Sequence, residues 1–164
     1  MKKNYLNSLL VLLMAALMFT SCKKDDEKPA SNVKYDGKTY TLAEGDYMSE
    51  EVGDLFYITL DFYGKAASIQ DMFNVAWVDF TIVSSIDGIQ PGTYNYNDGE
   101  ELSALTWTDG SFGPTGLESI DITSGVLKIE KSGSSYTVTF TGKSEDNKDV
   151  SMTFTGAIPE FTWE

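Results

Sequence analysis

The sequence contains no histidine and no arginine, and all 12 of its basic residues are lysines. The absence of histidine excludes Ser-His-Asp and Cys-His nucleophile systems, a histidine general base and histidine metal ligands. The absence of arginine excludes the bidentate guanidinium clamp on phosphates and carboxylates. The 25 acidic residues give the chain a net charge of −13. Such a surface repels nucleic acid and anionic lipid, so we expect no nucleic-acid partner.

Cysteine is almost absent as well, since Cys22 is the only one among 164 residues. It follows an apolar run, Leu9 to Phe19, which is preceded by Lys2 and Lys3. The run is too short to span a bilayer core of about 30 Å, so it predicts a signal peptide over residues 1–21. Its removal takes away two lysines and leaves 143 residues with ten lysines against 25 acidic residues, a net charge of −15. That length is typical of a single domain.

The residues around the cysteine resemble the bacterial lipoprotein signal, with Phe19-Thr20-Ser21-Cys22 in the place of the lipobox. The resemblance implies that Cys22 becomes the first mature residue and carries a diacylglycerol thioether and an amide-linked acyl chain. Anchoring by two or more acyl chains is stable. Lipidation would also consume the only thiol, so no disulfide would form within one mature chain.

Residues 22–31 have no apolar side chain large enough to pack, so we expect a solvated tether between the lipid and a domain over residues 32–164. The lysines and the acidic run directly after Cys22 resemble the surface-export signal of Bacteroidota-type lipoproteins. The resemblance implies an outer-membrane protein that faces the outside of the cell. The strand spacing is similar to that of small all-β lipoproteins of Bacteroidota.

Apolar residues alternate with polar ones throughout the domain, which predicts strands. Phe56, Ile58, Leu60 and Phe62 illustrate this period of two. We predict an all-β fold of eight or nine strands, an antiparallel meander that forms a β-sandwich or a flattened barrel. The predicted strands are 32–35, 38–43, 54–63, 74–84, 93–97, 102–108, the pair 118–122 and 125–131 counted as one continuous strand, 134–142 and 149–157.

Two C-terminal hairpins allow the register to be predicted. A two-residue turn at Ser132-Gly133 would pair residues whose numbers sum to 265. A loop centred on Asp146 would pair residues whose numbers sum to 292. In both registers apolar side chains lie opposite one another, as a sheet with one buried face requires.

A first candidate binding surface lies on the predicted third and fourth strands. If these strands are neighbours, Tyr57, Asp61 and Tyr63 share a face with Trp77 and Asp79. Aromatic rings beside carboxylates suit a sugar, whose C–H face stacks on the ring while its hydroxyls donate to the acids. The alternative is that these aromatics form a second small core.

A second candidate surface lies in loops and contains Tyr94, Tyr96, Trp107 and Phe112. Loops that a rigid sheet supports often carry binding residues, so a glycan or protein contact is one interpretation. The alternative is packing, with Tyr94 and Tyr96 on one face of a strand and Trp107 beneath a glycine-rich segment.

Neither a metal site nor a catalytic site is predicted. Asn97–Glu101 and Glu145–Asn147 supply the hard oxygens that Ca²⁺ prefers, but the same residues are ordinary in turns and EF-hand spacing is absent. Asp61 and Asp79 are the best carboxylate pair for glycosidase-like acid–base chemistry. With 25 acidic residues, however, some pair always looks suitable, and we expect neither catalysis nor a cofactor.

Three functions follow from these observations. The first is a surface-displayed, non-catalytic binding lipoprotein with a glycan or protein ligand, attached to the membrane through Cys22. The second is a structural or accessory subunit of an outer-membrane assembly that uses an exposed sheet edge for strand addition. The third is a carboxylate-dependent glycoside hydrolase.

Overall fold

A computed structural model describes residues 30–68, 74–99, 101–114 and 119–162. The predicted signal peptide, Cys22 and residues 23–29 of the tether lie outside these ranges. The described chain forms ten strands and almost no helix. They are β1 (Asn32–Tyr35), β2 (Lys38–Thr41), β3 (Glu44–Val52), β4 (Leu55–Tyr63), β5 (Trp77–Ser84), β6 (Gly92–Tyr96), β7 (Thr106–Gly113), β8 (Ile120–Ser132), β9 (Ser135–Ser144) and β10 (Asp149–Gly156).

All ten strands belong to one strongly curled, mixed sheet that forms a half-barrel. The strand order is β2-β1-β10-β9-β8-β6-β7-β5-β4-β3. Neighbours are antiparallel except for β6 and β7, which run parallel over a short stretch. The long strand β8 pairs with β7 near its start and with β6 further along, so β6 is inserted between them.

The two terminal strands of this sheet are consecutive in the chain, since only Leu42 and Ala43 separate β2 from β3. Leu42 N–H donates to the carbonyl of Ser31, and Ala43 N–H donates to the carbonyl of Tyr63. The chain therefore passes directly from one edge of the curled sheet to the other. After β10, residues 157–162 continue to β3, where Glu160 forms a parallel bridge with Tyr47.

The concave face of the sheet encloses a single aromatic-rich core. Trp107 forms T-shaped contacts with both Phe80 and Phe140, with centroid distances of 5.8 and 5.7 Å. Phe62 packs on Phe154 at 4.9 Å. Edge-on and tilted aromatic pairs of this kind add to the stabilisation that comes from burial alone. The inner face is therefore lined by packed apolar side chains, and the polar residues that alternate with them lie outside.

The predicted all-β class is confirmed, and of the two predicted architectures the half-barrel is closer to the flattened barrel than to the sandwich. Two details differ: there are ten strands in place of eight or nine, and the sheet is mixed in place of a purely antiparallel meander. The missed strand is β3, whose sequence of acidic residues, glycine and serine has a low β-propensity. The strand predicted at 102–108 is instead β7, which runs from Thr106 to Gly113.

The two predicted hairpin registers had different outcomes. The sum of 292 is confirmed, because Phe140 pairs with Met152 and Val138 pairs with Phe154. The sum of 265 is wrong by two, because Ile129 pairs with Val138. Gly133 has a φ of +60° and is the first of the two turn residues, Gly133 and Ser134. A shift of two keeps every side chain on its face, so alternation alone does not separate the two registers.

In the described part of the chain, no helix is long and apolar enough to cross a membrane.

The two tryptophans on opposite faces provide a test of this packing. Trp107 is fully buried in the core, whereas Trp77 lies half-buried on the outer face. We expect Trp107→Ala to lower the free energy of unfolding by about 3–5 kcal/mol, because it leaves a large cavity. The matched variant Trp77→Ala should lower it by only about 1 kcal/mol. Urea unfolding of both variants measures the difference, and equal losses would contradict the assignment of the two faces.

Candidate functional site

The residues of the first candidate surface lie together on the outer face of neighbouring strands. Antiparallel pairing of β4 with β5 places Asp61 directly opposite Asp79, and Tyr63 directly opposite Trp77. All four side chains are half-buried. The condition set by the sequence analysis, that these strands are neighbours, is therefore met. Tyr57 lies further along the same face of β4, opposite Val83.

Carboxylates form a continuous row across this face. Asp46 of β3 lies opposite Asp61, and Ser111 of β7 lies opposite Asp79. Side chains directly opposite on antiparallel strands have Cβ atoms about 4.5–5.5 Å apart, so three carboxyl groups stand side by side across three strands. Asp109 of β7 lies one row further along, opposite Thr81. Like charges at such positions destabilise a sheet.

Two hydrogen bonds satisfy part of this row. The Tyr63 hydroxyl donates to Asp46 Oδ2 at 2.8 Å. The Ser111 hydroxyl donates to Asp79 Oδ1 at 2.9 Å. Both donors are neutral, so they orient the carboxylates without neutralising them. Asp61 has no such bond from the hydroxyls beside it among the described residues.

The row changes the acidity of its central pair. Burial, followed by the charge of Asp46, raises the pKa of Asp61 to about 6. Burial also raises the pKa of Asp79 to about 6, with added repulsion from Asp61 and Asp109, although the bond from Ser111 acts in the opposite direction. The pKa of Tyr63 rises to about 12 through burial and through its hydrogen bond to Asp46. At neutral pH both carboxyl groups of the pair are therefore ionised, and their ionisation lowers the free energy of unfolding.

An apolar groove adjoins the surface at Tyr57. It is shallow, without room for a water molecule, and is lined by Val52, Leu55, Phe56, Tyr57, Val83 and Leu102. Leu102 belongs to the loop between β6 and β7. The outer face thus has an aromatic pair near one end of β4, carboxylates in its middle and an apolar groove at its other end.

The second candidate surface is placed differently. Tyr94, Trp107 and Phe112 are fully buried in the core. Tyr96 is half-buried and packs on Trp107 with a centroid distance of 4.5 Å. A ligand at the surface has no access to the three buried rings, so the packing alternative describes them. The segment after Trp107, expected as a glycine-rich cover, is the rest of strand β7.

The two candidate calcium loops use their oxygens for turns. Asn97 Oδ1 accepts from Gly99 N–H, and Asn97 Nδ2 donates to the carbonyl of Glu101. Asp146 accepts bonds from Ser144 and Tyr35 and pairs with Lys148, which together hold its pKa well below the usual range. Within the described residues, no three acidic or cysteine side chains are close enough to hold a metal ion.

Three members of this surface, Asp46, Asp109 and Ser111, are not predicted as part of it from the sequence. Asp46 was missed because β3 was not predicted. Asp109 and Ser111 were missed because the predicted strand ended at residue 108, whereas β7 continues to Gly113 with a bulge at Thr108. Trp107 and Phe112 are five residues apart and have opposite parity, yet both point inward. The combination of two buried aromatics at an odd spacing was the available signal for a bulge.

The paired carboxyl groups predict a pH-dependent stability. Their folded-state pKa values lie above the ordinary value of 3.8, so the folded chain binds more protons than the unfolded chain between those values. The free energy of unfolding should therefore fall as the pH rises from about 4 to about 6. We expect Asp79→Asn to raise it by about 1–2 kcal/mol at about pH 7.5 and by much less at about pH 4. Denaturant unfolding at both pH values measures this.

The control for that experiment is Asp54→Asn, which removes an exposed carboxylate in the turn between β3 and β4. It should change stability little at either pH. A gain for Asp79→Asn that is the same at both pH values would contradict the raised pKa values of the pair.

Comparisons with known proteins found no relative of this chain. No family model, curated protein or solved structure matches the chain.

Proposed function

We propose that this protein is an outer-membrane, surface-facing lipoprotein that acts as a non-catalytic binding module for a glycan or a protein ligand. The contact surface is the outer face of β3, β4, β5 and β7. The observation that carries the proposal is the Tyr63–Trp77 pair beside the Asp61–Asp79 pair on strands whose other face is a packed core. A rigid scaffold of this kind holds its side chains ready for a ligand at little entropic cost.

The chemistry of the face suits a polyhydroxylated or amide-rich ligand. Half-buried tyrosine and tryptophan rings offer apolar faces with polar edges, and they are enriched at binding surfaces. The neighbouring carboxylates accept hydrogen bonds from hydroxyl and amide groups. A ligand that donates such bonds to Asp61 and Asp79 would also relieve part of the repulsion between them.

The arrangement favours binding over hydrolysis. Glycosidases place their two carboxyl groups on either side of the scissile bond. Asp61 and Asp79 instead stand next to each other on the convex face of a curled sheet, at directly opposite register positions. A substrate lying on that face would meet both groups from the same side.

The membrane attachment in this proposal rests on the sequence around Cys22. The tether reaches the domain at Ser31, whose hydroxyl accepts a hydrogen bond from Thr155 N–H and whose carbonyl accepts one from Leu42 N–H. The tether is thus joined to the domain beside β1 and β10.

Glycan-array binding by residues 23–164 tests the ligand class, and this fragment retains Ser31 and its two hydrogen bonds. We expect binding that Trp77→Ala weakens about tenfold or more, because a central aromatic anchor is lost. Ile86→Ala is the control, since Ile86 is an exposed apolar residue of the β5–β6 loop. An array without any bound glycan would contradict a sugar ligand. Equal weakening by both variants would contradict the site.

Attachment to the membrane has its own test. We expect Cys22→Ser to shift the protein from the membrane fraction to the soluble fraction or to leave it unprocessed, because the acylated sulfur is lost. Protease treatment of intact cells should remove the wild-type domain if it faces outward. Mass spectrometry that finds a free Cys22 thiol and an intact leader would contradict the anchor, and full protection from protease would contradict surface exposure.

A further inference from the structure

The C-terminal segment, residues 157–162, adds an aromatic side chain to the outer face of the sheet. Tyr47 N–H donates to the carbonyl of Pro159 at 3.0 Å, and Phe161 N–H donates to the carbonyl of Tyr47 at 2.7 Å. These two bonds form the parallel bridge in which Glu160 lies opposite Tyr47. The segment therefore extends the sheet by one short step beyond β3.

This bridge decides which side chains of the segment face outward. Tyr47 packs against the core, so its register partner Glu160 lies on the inner side of the sheet. Successive side chains of an extended chain point to opposite faces, which places Phe161 on the outer side, next to Met48. Ile158 is buried two residues before Glu160, as the same alternation requires.

Phe161 and Met48 form an exposed apolar pair at this position. Their exposed fractions are 43% and 40%. Among the residues that the structure describes, only four large apolar side chains are exposed to this degree, and two of them are neighbours here. Aromatic residues and methionine are enriched at binding surfaces, so this pair is a second candidate contact on the outer face.

The register gives the separation of the two candidate contacts. Trp77 lies opposite Tyr63, and Tyr63 lies opposite Glu44. Met48 lies four residues beyond Glu44 on β3, and Phe161 is one strand further out. With about 3.3 Å per residue and about 4.8 Å between strands, the rings of Trp77 and Phe161 are roughly 20 Å apart along the surface.

The direct path between the two contacts is polar. It crosses the carboxylate row at Asp46 and Asp61, which lie opposite each other. It then passes Thr59, which lies opposite Met48. None of the strands β3, β4, β5 and β7 contains a lysine, so an acidic ligand would meet carboxylates there without a counter-charge.

We propose that the outer face binds a linear glycan without acidic sugars, in an extended site that runs from Trp77 to Phe161. This inference rests on the proposed function and names the class of its ligand. Phe161 stacks on one sugar ring of the chain while Trp77 stacks on another. The separation of the two contacts exceeds the length of a disaccharide, so occupation of both requires a longer chain.

The face favours a glycan over a peptide because it offers side chains alone. The main-chain groups of β4 and β5 pair with strands on both sides. A peptide lying across these strands therefore gains none of the main-chain bonds that strand addition supplies. A glycan needs none, because its C–H faces stack on aromatic rings and its hydroxyls donate to carboxylates. A linear chain repeats both features along its length.

The test measures binding of residues 23–164 to linear glucan, mannan, xylan and chitin oligosaccharides, from the disaccharide to the octasaccharide. Amide chemical shifts of ¹⁵N-labelled protein report even weak binding of the short chains. We expect affinity to rise with chain length until both contacts are occupied. Phe161→Ala should weaken octasaccharide binding about fivefold or more and leave disaccharide binding at Trp77 unchanged. Polygalacturonate, an acidic linear chain, should bind more weakly than the neutral chains.

Three further variants separate a ring contact from a change in folding. Val126→Ala is the matched control, because Val126 is also 43% exposed but lies on β8, outside the proposed site. It should leave octasaccharide binding unchanged. Phe161→Tyr keeps an aromatic ring and should retain the affinity. Met48→Ala changes the same apolar pair without altering the C-terminal segment, and it should also weaken octasaccharide binding.

Several outcomes would overturn this inference. Equal effects of Phe161→Ala and Val126→Ala, or equal affinities for the disaccharide and the octasaccharide, would contradict the extended site. Preference for polygalacturonate, or binding of extended peptides in place of linear glycans, would contradict the ligand class. The proposed function fails separately, when Trp77→Ala and Ile86→Ala weaken binding equally, so the two failures are distinguishable.

Discussion

The structure depends on the packing of apolar side chains on the concave face of one curled sheet. A single curled sheet has one buried face, so the large apolar side chains of its strands must meet on that face. Phe80, Trp107 and Phe140 do so. Whatever alternates with them is forced to the convex face. Asp61 and Asp79 are adjacent because Leu60 and Phe80 must pair on the inner side, and the register that pairs these two also pairs the acids. The free-energy cost of burying these two carboxylates side by side is thus a consequence of core packing.

Much of this fold is present in the period-two pattern. The alternation of β4, β5, β9 and β10 predicts both their extent and their buried faces, and the pairing of Phe140 with Met152 follows from it. The pattern fails where the chain departs from simple alternation. β3 is an edge strand with little apolar content, so its burial pattern is almost invisible in the sequence. The insertion of β6 between β7 and β8 is a tertiary arrangement that no local pattern specifies.

The same limits apply to the candidate surface. The shared face of Tyr57, Asp61, Trp77 and Asp79 is predictable, because it requires only that two well-patterned strands pair. The contributions of Asp46 and Ser111 to this face are not predictable from the sequence. Asp46 lies on the strand that was not predicted, and Ser111 follows the bulge in β7. Aromatic content alone also misleads: Trp107 and Trp77 look equally suited to a ligand in the sequence, and only the bulge places one of them in the core. Which aromatic and acidic residues share the outer face therefore depends on strand register more than on composition.

The central claim is that core packing holds two like-charged carboxyl groups together on the outer face of the sheet. Direct titration of the side-chain carboxyl carbons of Asp61 and Asp79 by NMR tests it most closely. The account predicts that both groups titrate near pH 6, well above an ordinary aspartate. Titration of both near the ordinary value of 3.8 would contradict it, because the two groups would then be neither desolvated nor close.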